Sequence, residues 1–304
     1  MLFLTVAAAV AFLVACPPAA PRMPELPRST AAPEATGQGT SGPATSSPMS
    51  TAVPAPERSV PRHPQPEIGL LAVVIDDAGY SLQELQAFLE IPGPLTVAVL
   101  PNLPHSTEAA RRVHAAGKDL ILHCPMEPIG GENPGPGALY TWQTPAQVES
   151  LLAADFATVP RAIGMNNHMG SRATSDPALM TTVIAYLAQH DLFYLDSRTT
   201  ADTVGPLIAE KLRVPSLQRD VFVDVDTAPA EVAAGLARGI EEAADRGSAV
   251  IIGHVQNAAV AAILRVQVKV LAAKGVRLAR LSEVMARRRG EMRGERPGDR
   301  KLVR

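Results

Sequence analysis

Cysteine is nearly absent, with Cys16 and Cys124 the only two in 304 residues. A chain so poor in thiols is not stapled by a disulfide framework. An excess of positive charge is absent too. With 28 Lys and Arg against 30 Asp and Glu, a formal charge of −2 and 4% aromatics, the chain offers neither a basic field for a phosphate backbone nor a stacking surface for bases. A nucleic-acid partner is thereby excluded. No segment repeats at a period of about 20 to 50 residues, which excludes a solenoid.

What is present is a 46% hydrophobic content, ample for one large domain or two modest ones. Met1 to Ala15 is unbroken by charge or turn residues, yet shorter than the roughly 20 residues of a bilayer span. Its length suits a signal peptide. Leu13-Val14-Ala15-Cys16 also resembles a bacterial lipobox, although the usual positive n-region is missing. Residues 1–16 are therefore read as a leader that exports the chain to the periplasm or cell envelope, with Cys16 as a candidate lipid anchor at the membrane. Residues 17–66 hold 13 of the 28 prolines among Ala, Ser and Thr, too little apolar surface to offset ordering entropy. They read as an extended tether. Residues 67–286 form the folded domain, and 287–304, starting at Arg287-Arg288-Arg289, read as a solvated basic tail.

Within the domain, apolar runs of four to seven residues alternate with helical-period stretches, the pattern of βα units with a mainly parallel sheet. Strands are predicted at 69–75, 95–100, 119–123, 161–165, 192–196, 220–224, 248–253 and 276–279. Ser81 to Glu84 and Thr144 to Gln147 fit the capping box, Asp176-Pro177 starts another helix, and Gly117 and Gly275 stand where helices should end. Seven or eight such units predict an α/β fold closed, or nearly closed, into a (β/α) barrel. The loop from Pro125 to Tyr140 carries four glycines and four prolines, and loops of that length usually shape a cleft.

Five runs stop at a residue able to bind a metal or move a proton. Leu71 to Ile75 stops at Asp76-Asp77, Leu120 to Leu122 at His123, and Ala162 to Met165 at Asn166-Asn167-His168. Leu192 to Leu195 stops at Asp196-Ser197, and Ala249 to Gly253 at His254. Parallel strands converge at their carboxyl ends, where α/β folds place their sites. Adjacent carboxylates can divide roles, one holding a cation while the other, tuned by the neighbouring charge, acts as a base; alternatively the pair caps the next turn. His123 is a ligand or a satisfied structural side chain. Asn166 and Asn167 meet a ligand or bond their own backbone.

Asp77, His123 and His168 together supply one carboxylate and two imidazoles, the donor set of a catalytic zinc or similar divalent ion with positions left for water and substrate. Asp196 and His254 then take supporting or acid roles, the carboxylate orienting an imidazole and the histidine protonating a leaving atom. Arg198 pairs with Asp196 or Asp76, or lies on the surface. Cys124 is a nucleophile or ligand by type, but neighbouring strand side chains face opposite ways, and a small buried apolar role is preferred. His105, His114 and His190 fall in predicted helices and His63 in the tether, which sets them aside.

The stretches VVIDDAGY, LHCPMEP, GPGALY, GMNNHMGSRAT, FYLDSRTT, RDVFVD and IIGH, spread from Val73 to His254, resemble the divergent polysaccharide deacetylase family, a branch of the carbohydrate esterase (NodB-like) superfamily. The resemblance implies a distorted (β/α) barrel, Asp76 as catalytic base, Asp77, His123 and His168 as ligands of a divalent metal such as zinc, and His254 as the acid. Asp196 joins the catalytic group, and Asn166, Asn167, Ser171, Arg198 and Glu127 are the expected substrate contacts. The superfamily's HxxxH is missing, so the two histidines come from separate strands. Val255-Gln256-Asn257 also departs from the Pro and Thr typical of the branch. The implied activity is removal of acetyl groups from an envelope polysaccharide, peptidoglycan included. A glycan-binding protein that keeps the fold without turnover, and a hydrolase of another amide or ester, are the alternatives.

Overall fold

The computed structural model describes residues 68–292. The expected leader, Cys16, the tether with His63 and the end beyond residue 292 lie outside the described residues. Nine strands form one sheet: β1 (Gly69–Ala78), β2 (Thr96–Val99), β3 (Asp119–Met126), β4 (Gly164–Met169), β5 (Phe193–Asp196), β6 (Ser216–Gln218), β7 (Val221–Phe222), β8 (Ser248–His254) and β9 (Val276–Leu278). Every pairing is parallel, in the order β6-β5-β4-β3-β2-β1-β8-β7, with β9 beside the start of β1. Strands buried on both faces read as continuous apolar runs, as Leu70 to Ile75 does. The sheet edges β6 and β7 are joined by Arg219-Asp220 alone, and among the described residues no ladder links them. The expected (β/α) barrel is therefore present as a curled sheet with one open seam.

Around it run α1 (Leu82–Leu89), α2 (Ser106–Ala115), α3 (Pro145–Thr158), α4 (Pro177–Gln189), α5 (Gly205–Lys211), α6 (Pro229–Arg246), α7 (Ala258–Gln267) and α8 (Leu281–Met292). Their starts follow local chemistry. Thr144 and Gln147 satisfy each other's backbone N–H in a full capping box, and the Asp176 carboxylate accepts from Leu179 N. Gly247 ends α6 with φ 77°, a left-handed conformation that favours glycine.

Two cores follow from strand alternation. Leu70, Ala72 and Val74 face the barrel interior with Ile121, Phe193, Leu195, Leu217, Val250 and Ile252, and Leu281, Val284 and Met285 of α8 pack against them. Leu71, Val73 and Ile75 face outward with Leu122, Cys124, Met165 and Tyr194 against the surrounding helices. α8 corrects the expected tail boundary at residue 287. Arg287 donates to the carbonyls of Ile68 and Gly247 where β1 and β8 begin, and Arg288 donates to Ser248 Oγ and Asp220. The strand expected at 220–224 is present but shorter, as β7, and β6, which was not expected, precedes it on the opposite edge of the sheet.

Candidate metal centre

Alternation decides which side chains meet. Asp76 continues the inward series of β1, His123 follows Ile121, and Asn166 and His168 alternate with the outward Met165. Ser197 follows Leu195, Arg219 follows Leu217 and His254 follows Ile252, so all of these rise from the interior at the carboxyl ends of their strands. Asp77 should point out, toward the helices. It does not, because the register of β1 on β2 shifts between Ile75 and Ala78, matching three steps of β1 to two of β2. Asp77 takes up the extra residue with φ 66°, an uncommon backbone for a non-glycine residue. The bulge turns two consecutive carboxylates to the same side.

The result is a compact triangle. Asp77 Oδ1 lies 3.1 Å from His123 Nε2 and 2.9 Å from His168 Nδ1, and the two nitrogens are 3.2 Å apart. These are close to the roughly 3.3 Å edge of a tetrahedron with about 2.0–2.1 Å metal bonds. Asp77 Oδ1 is buried, yet no N–H is aligned as a hydrogen-bond donor to it. A buried carboxylate oxygen without a donor is costly, and one carboxylate oxygen and two imidazole nitrogens facing one point describe a cation site. Asp77, His123 and His168 fit a divalent ion on that ground. Burial alone would raise the Asp77 carboxyl, but the two imidazoles outweigh it and hold it well below the usual carboxylate range. Gln256, noted in the sequence only as part of the departure at Val255-Gln256-Asn257, donates to Asp77 Oδ2 at 2.9 Å.

Asp76 is 2% exposed, with Oδ2 3.7 Å from His123 Nε2. Burial raises its proton affinity, and the neighbouring Asp77 charge adds to the rise, while the charges of His123 and His254 and a bond from Asn166 oppose it. Asn166 orients the set. Its Nδ2 donates to Asp76 Oδ1 at 2.9 Å and to Ser197 Oγ at 3.2 Å, and its Oδ1 receives the His123 Nδ1–H at 2.8 Å. That last bond leaves His123 Nε2 as the lone pair facing Asp77, the tautomer a ligand needs.

His254 stands on the other side of Asp76. Its Nδ1 donates to Asp224 Oδ1 at 2.9 Å and its backbone N–H to Asp224 Oδ2 at 2.9 Å. Burial opposes the imidazolium, but Asp224, helped by Asp76, outweighs it and pushes His254 up to about 9. Phe222 stacks on the ring at 5.7 Å, and the Arg219 guanidinium lies 3.8 Å from the Phe222 centroid. Asp224 and Arg219 were not singled out in the sequence, although both lie in the quoted RDVFVD stretch. The signal available was the alternation running from Leu217 through Arg219.

Other expected site residues are placed differently. Asp196 is fully buried and faces outward beside Tyr194; its oxygens accept from Arg198 N and Thr203 Oγ1, both at 2.7 Å, so it braces the loop after β5 and orients no imidazole. Asn166 and Asn167, at 0% and 1% exposed, are shielded from a substrate. Asn167 instead accepts from Ser197 N and donates to Met169 O. Glu127 accepts from Thr141 N and Oγ1, and Ser171 Oγ accepts from Ile129 N, which ties down the loop expected to shape a cleft. Two residues past that loop stands Trp142, 71% exposed and stacked on Tyr140 at 5.8 Å. Arg198 is exposed with φ 50°, and its guanidinium pairs with neither Asp196 nor Asp76. Cys124 is buried among the outward core, where burial pushes its thiol up.

Comparison with known proteins agrees with this architecture. An uncharacterized protein of Haemophilus influenzae is 39% identical over 184 residues, covering 60% of this chain and 66% of the relative. The uncharacterized protein YibQ of Escherichia coli is 34% identical over 192 residues, covering 63% of this chain and 60% of the relative. The chain thus spans under two thirds of the length of these relatives. The crystal structure of ATU2773, an uncharacterized protein of Agrobacterium tumefaciens, shares the fold at a TM-score of 0.68 and 21% identity, covering 72% of this chain and 89% of that one. The family profile described as divergent polysaccharide deacetylase matches residues 73–285. The chain belongs to the divergent polysaccharide deacetylase family.

Proposed function

We propose that this protein is an exported, metal-dependent hydrolase that removes acetyl groups from an envelope polysaccharide. The observation that supports it most is the convergence of a base, a three-donor cation site and a charged histidine from four separate strands. The apolar leader and Pro-rich tether favour export. A bound divalent ion, zinc by its donor set, would polarise the acetyl carbonyl and lower the pKa of water to roughly 7. Asp76, held by Asn166 and raised by burial, takes the proton from the attacking water. His254, kept charged by Asp224, delivers a proton to the leaving nitrogen. The acetyl C–N bond breaks; acetate leaves with the oxygen of water, and the sugar keeps the protonated amine.

The test combines metal analysis with acetate release from acetylated chito-oligosaccharides or peptidoglycan. A single bound ion, lost in His168→Ala, and acetate release that falls about 10²–10⁴-fold in Asp76→Asn while the ion stays bound, are the results expected. No ion held, or no acetate released with any added divalent metal, would refute the proposal; glycan binding without turnover would then identify a binding protein.

A further inference from the structure

The open seam of the barrel holds a cavity of about 670 Å³ faced by Arg198, Arg213, Arg219, Arg288 and Arg289. That is the size of a small-ligand pocket, usually about 300–1,000 Å³. Glu210 and Asp220 are the carboxylates of its lining, and Arg288 already neutralises Asp220 at 2.6 Å. The guanidinium groups of Arg198, Arg213 and Arg289 make no hydrogen bond or ion pair among the described residues. Leu217 and Met285 supply apolar surface between them. Burial and the neighbouring Arg198 charge both lower the proton affinity of Arg219, a repulsion that an anion would relieve.

The cavity begins at the wall of the metal centre. Arg219 donates through Nε to Ser197 O at 2.8 Å, and Ser197 Oγ accepts from Asn166, which also holds Asp76. The same guanidinium lies over Phe222, the ring stacked on His254. Arg198 and Arg219 stand at the end of the cavity that shares this buried wall, and Arg213 and Arg289 line it farther toward the strand starts. An extended peptide fits less well. Tyr194 N bonds Pro215 O and Arg219 N bonds Asp196 O, so those positions face β5 and only Ser216 and Gln218 turn backbone groups to the seam. Two residues are too few for strand addition.

We infer that this cavity binds an oxyanion of the glycan, so that the ligand is an acidic polysaccharide carrying a carboxylate or phosphate. As a substrate assignment this rests on the hydrolase reading; as a binding site it does not. The experiment is calorimetric titration of the chelator-treated full chain with an alternating N-acetylglucosamine and N-acetylmuramic acid tetrasaccharide, chitotetraose, 6-phosphorylated chitotetraose, inorganic phosphate and a glutamate-rich peptide. An acidic tetrasaccharide should bind about tenfold tighter than chitotetraose at low salt, consistent with a charge-assisted contact. Arg213→Glu should abolish that preference, whereas Arg238→Glu, the same charge change on the exposed face of α6, should not. Arg289→Glu is the second variant should the first fail to fold.

The carboxylate and phosphate sugars tell the two oxyanions apart. Equal affinity for acidic and neutral sugars, a preference that survives both cavity variants, or binding of the peptide or phosphate without the acidic sugars would overturn the assignment. A preference that persists with no acetate released from any sugar upholds the site and sinks the hydrolase reading instead.

Discussion

Asp224→Asn isolates the charge that sets His254 without changing shape. The carboxylate accepts from both the ring Nδ1–H and the backbone N–H of His254, each at 2.9 Å. An asparagine carries one acceptor and one donor there, so one of those two N–H groups must lose its partner. Burial remains and still favours the neutral ring. His254 should fall from about 9 to at or below its ordinary 6.5, and a fall of that size, at about 1.4 kcal/mol for each tenfold change in proton affinity, is about 3 kcal/mol. The imidazolium binds its proton more tightly in the folded protein than in the unfolded chain. Its contribution to stability is therefore complete below pH 6.5 and lost as pH rises through 9. For turnover, the alkaline limb of kcat/KM should lie near pH 9 in the native protein and move down by about two pH units or more in Asp224→Asn. Acetate release across pH, with NMR titration of the His254 ring in metal-free protein, measures both. A limb that does not move, or a native His254 titrating near 6.5, would refute the argument.

Three further outcomes follow from the same geometry. Adding zinc at 100 times its dissociation constant should stabilise the native chain by about 2.7 kcal/mol in thermal unfolding, and His168→Ala should erase that gain; an equal gain in the variant would place the ion elsewhere. Asn166→Ala removes the partner of Asp76, His123 and Ser197 at a fully buried position, and should cost about 3 kcal/mol in denaturant unfolding; a loss under about 1 kcal/mol would show that these groups find other partners. Asp155 is fully buried with Oδ2 unpartnered, and burial raises it to about 7 against an ordinary 3.8. Its ionisation opposes folding as pH rises from 3.8 through 7. Asp155→Asn should therefore gain up to about 4 kcal/mol at pH 8 and progressively less toward pH 4, and a gain independent of pH would contradict this.

The sequence carried the barrel and the donor triad because each donor sits at the end of an apolar run, and such runs mark strands whatever their tilt. It misplaced Asp196 because the end of a run does not say which way a side chain faces. Counting from Phe193 and Leu195, interior residues, puts Ser197 inward and Asp196 outward. Asp224 escaped notice although Val221-Phe222-Val223 leads into it, because that run is short and β7 is two residues long. β6 was hidden for a similar reason, since Ser216-Leu217-Gln218 has one apolar residue. Arg287 and Arg288 read as solvated charge, but carbonyls at the strand starts and the Asp220 carboxylate were waiting for donors. No glycine advertises the left-handed turn at Asp77.

That turn gives the candidate metal cup an arithmetic of its own. Were the first strand to pair with the second without the register shift between Ile75 and Ala78, plain in-and-out order would return, and one of the two acids would be swung into the greasy layer beneath the helices. A chain can thus keep every histidine and both aspartates in its composition and still be inert. In this fold, assembly of the donor set is a matter of strand phase as much as of which residues are kept.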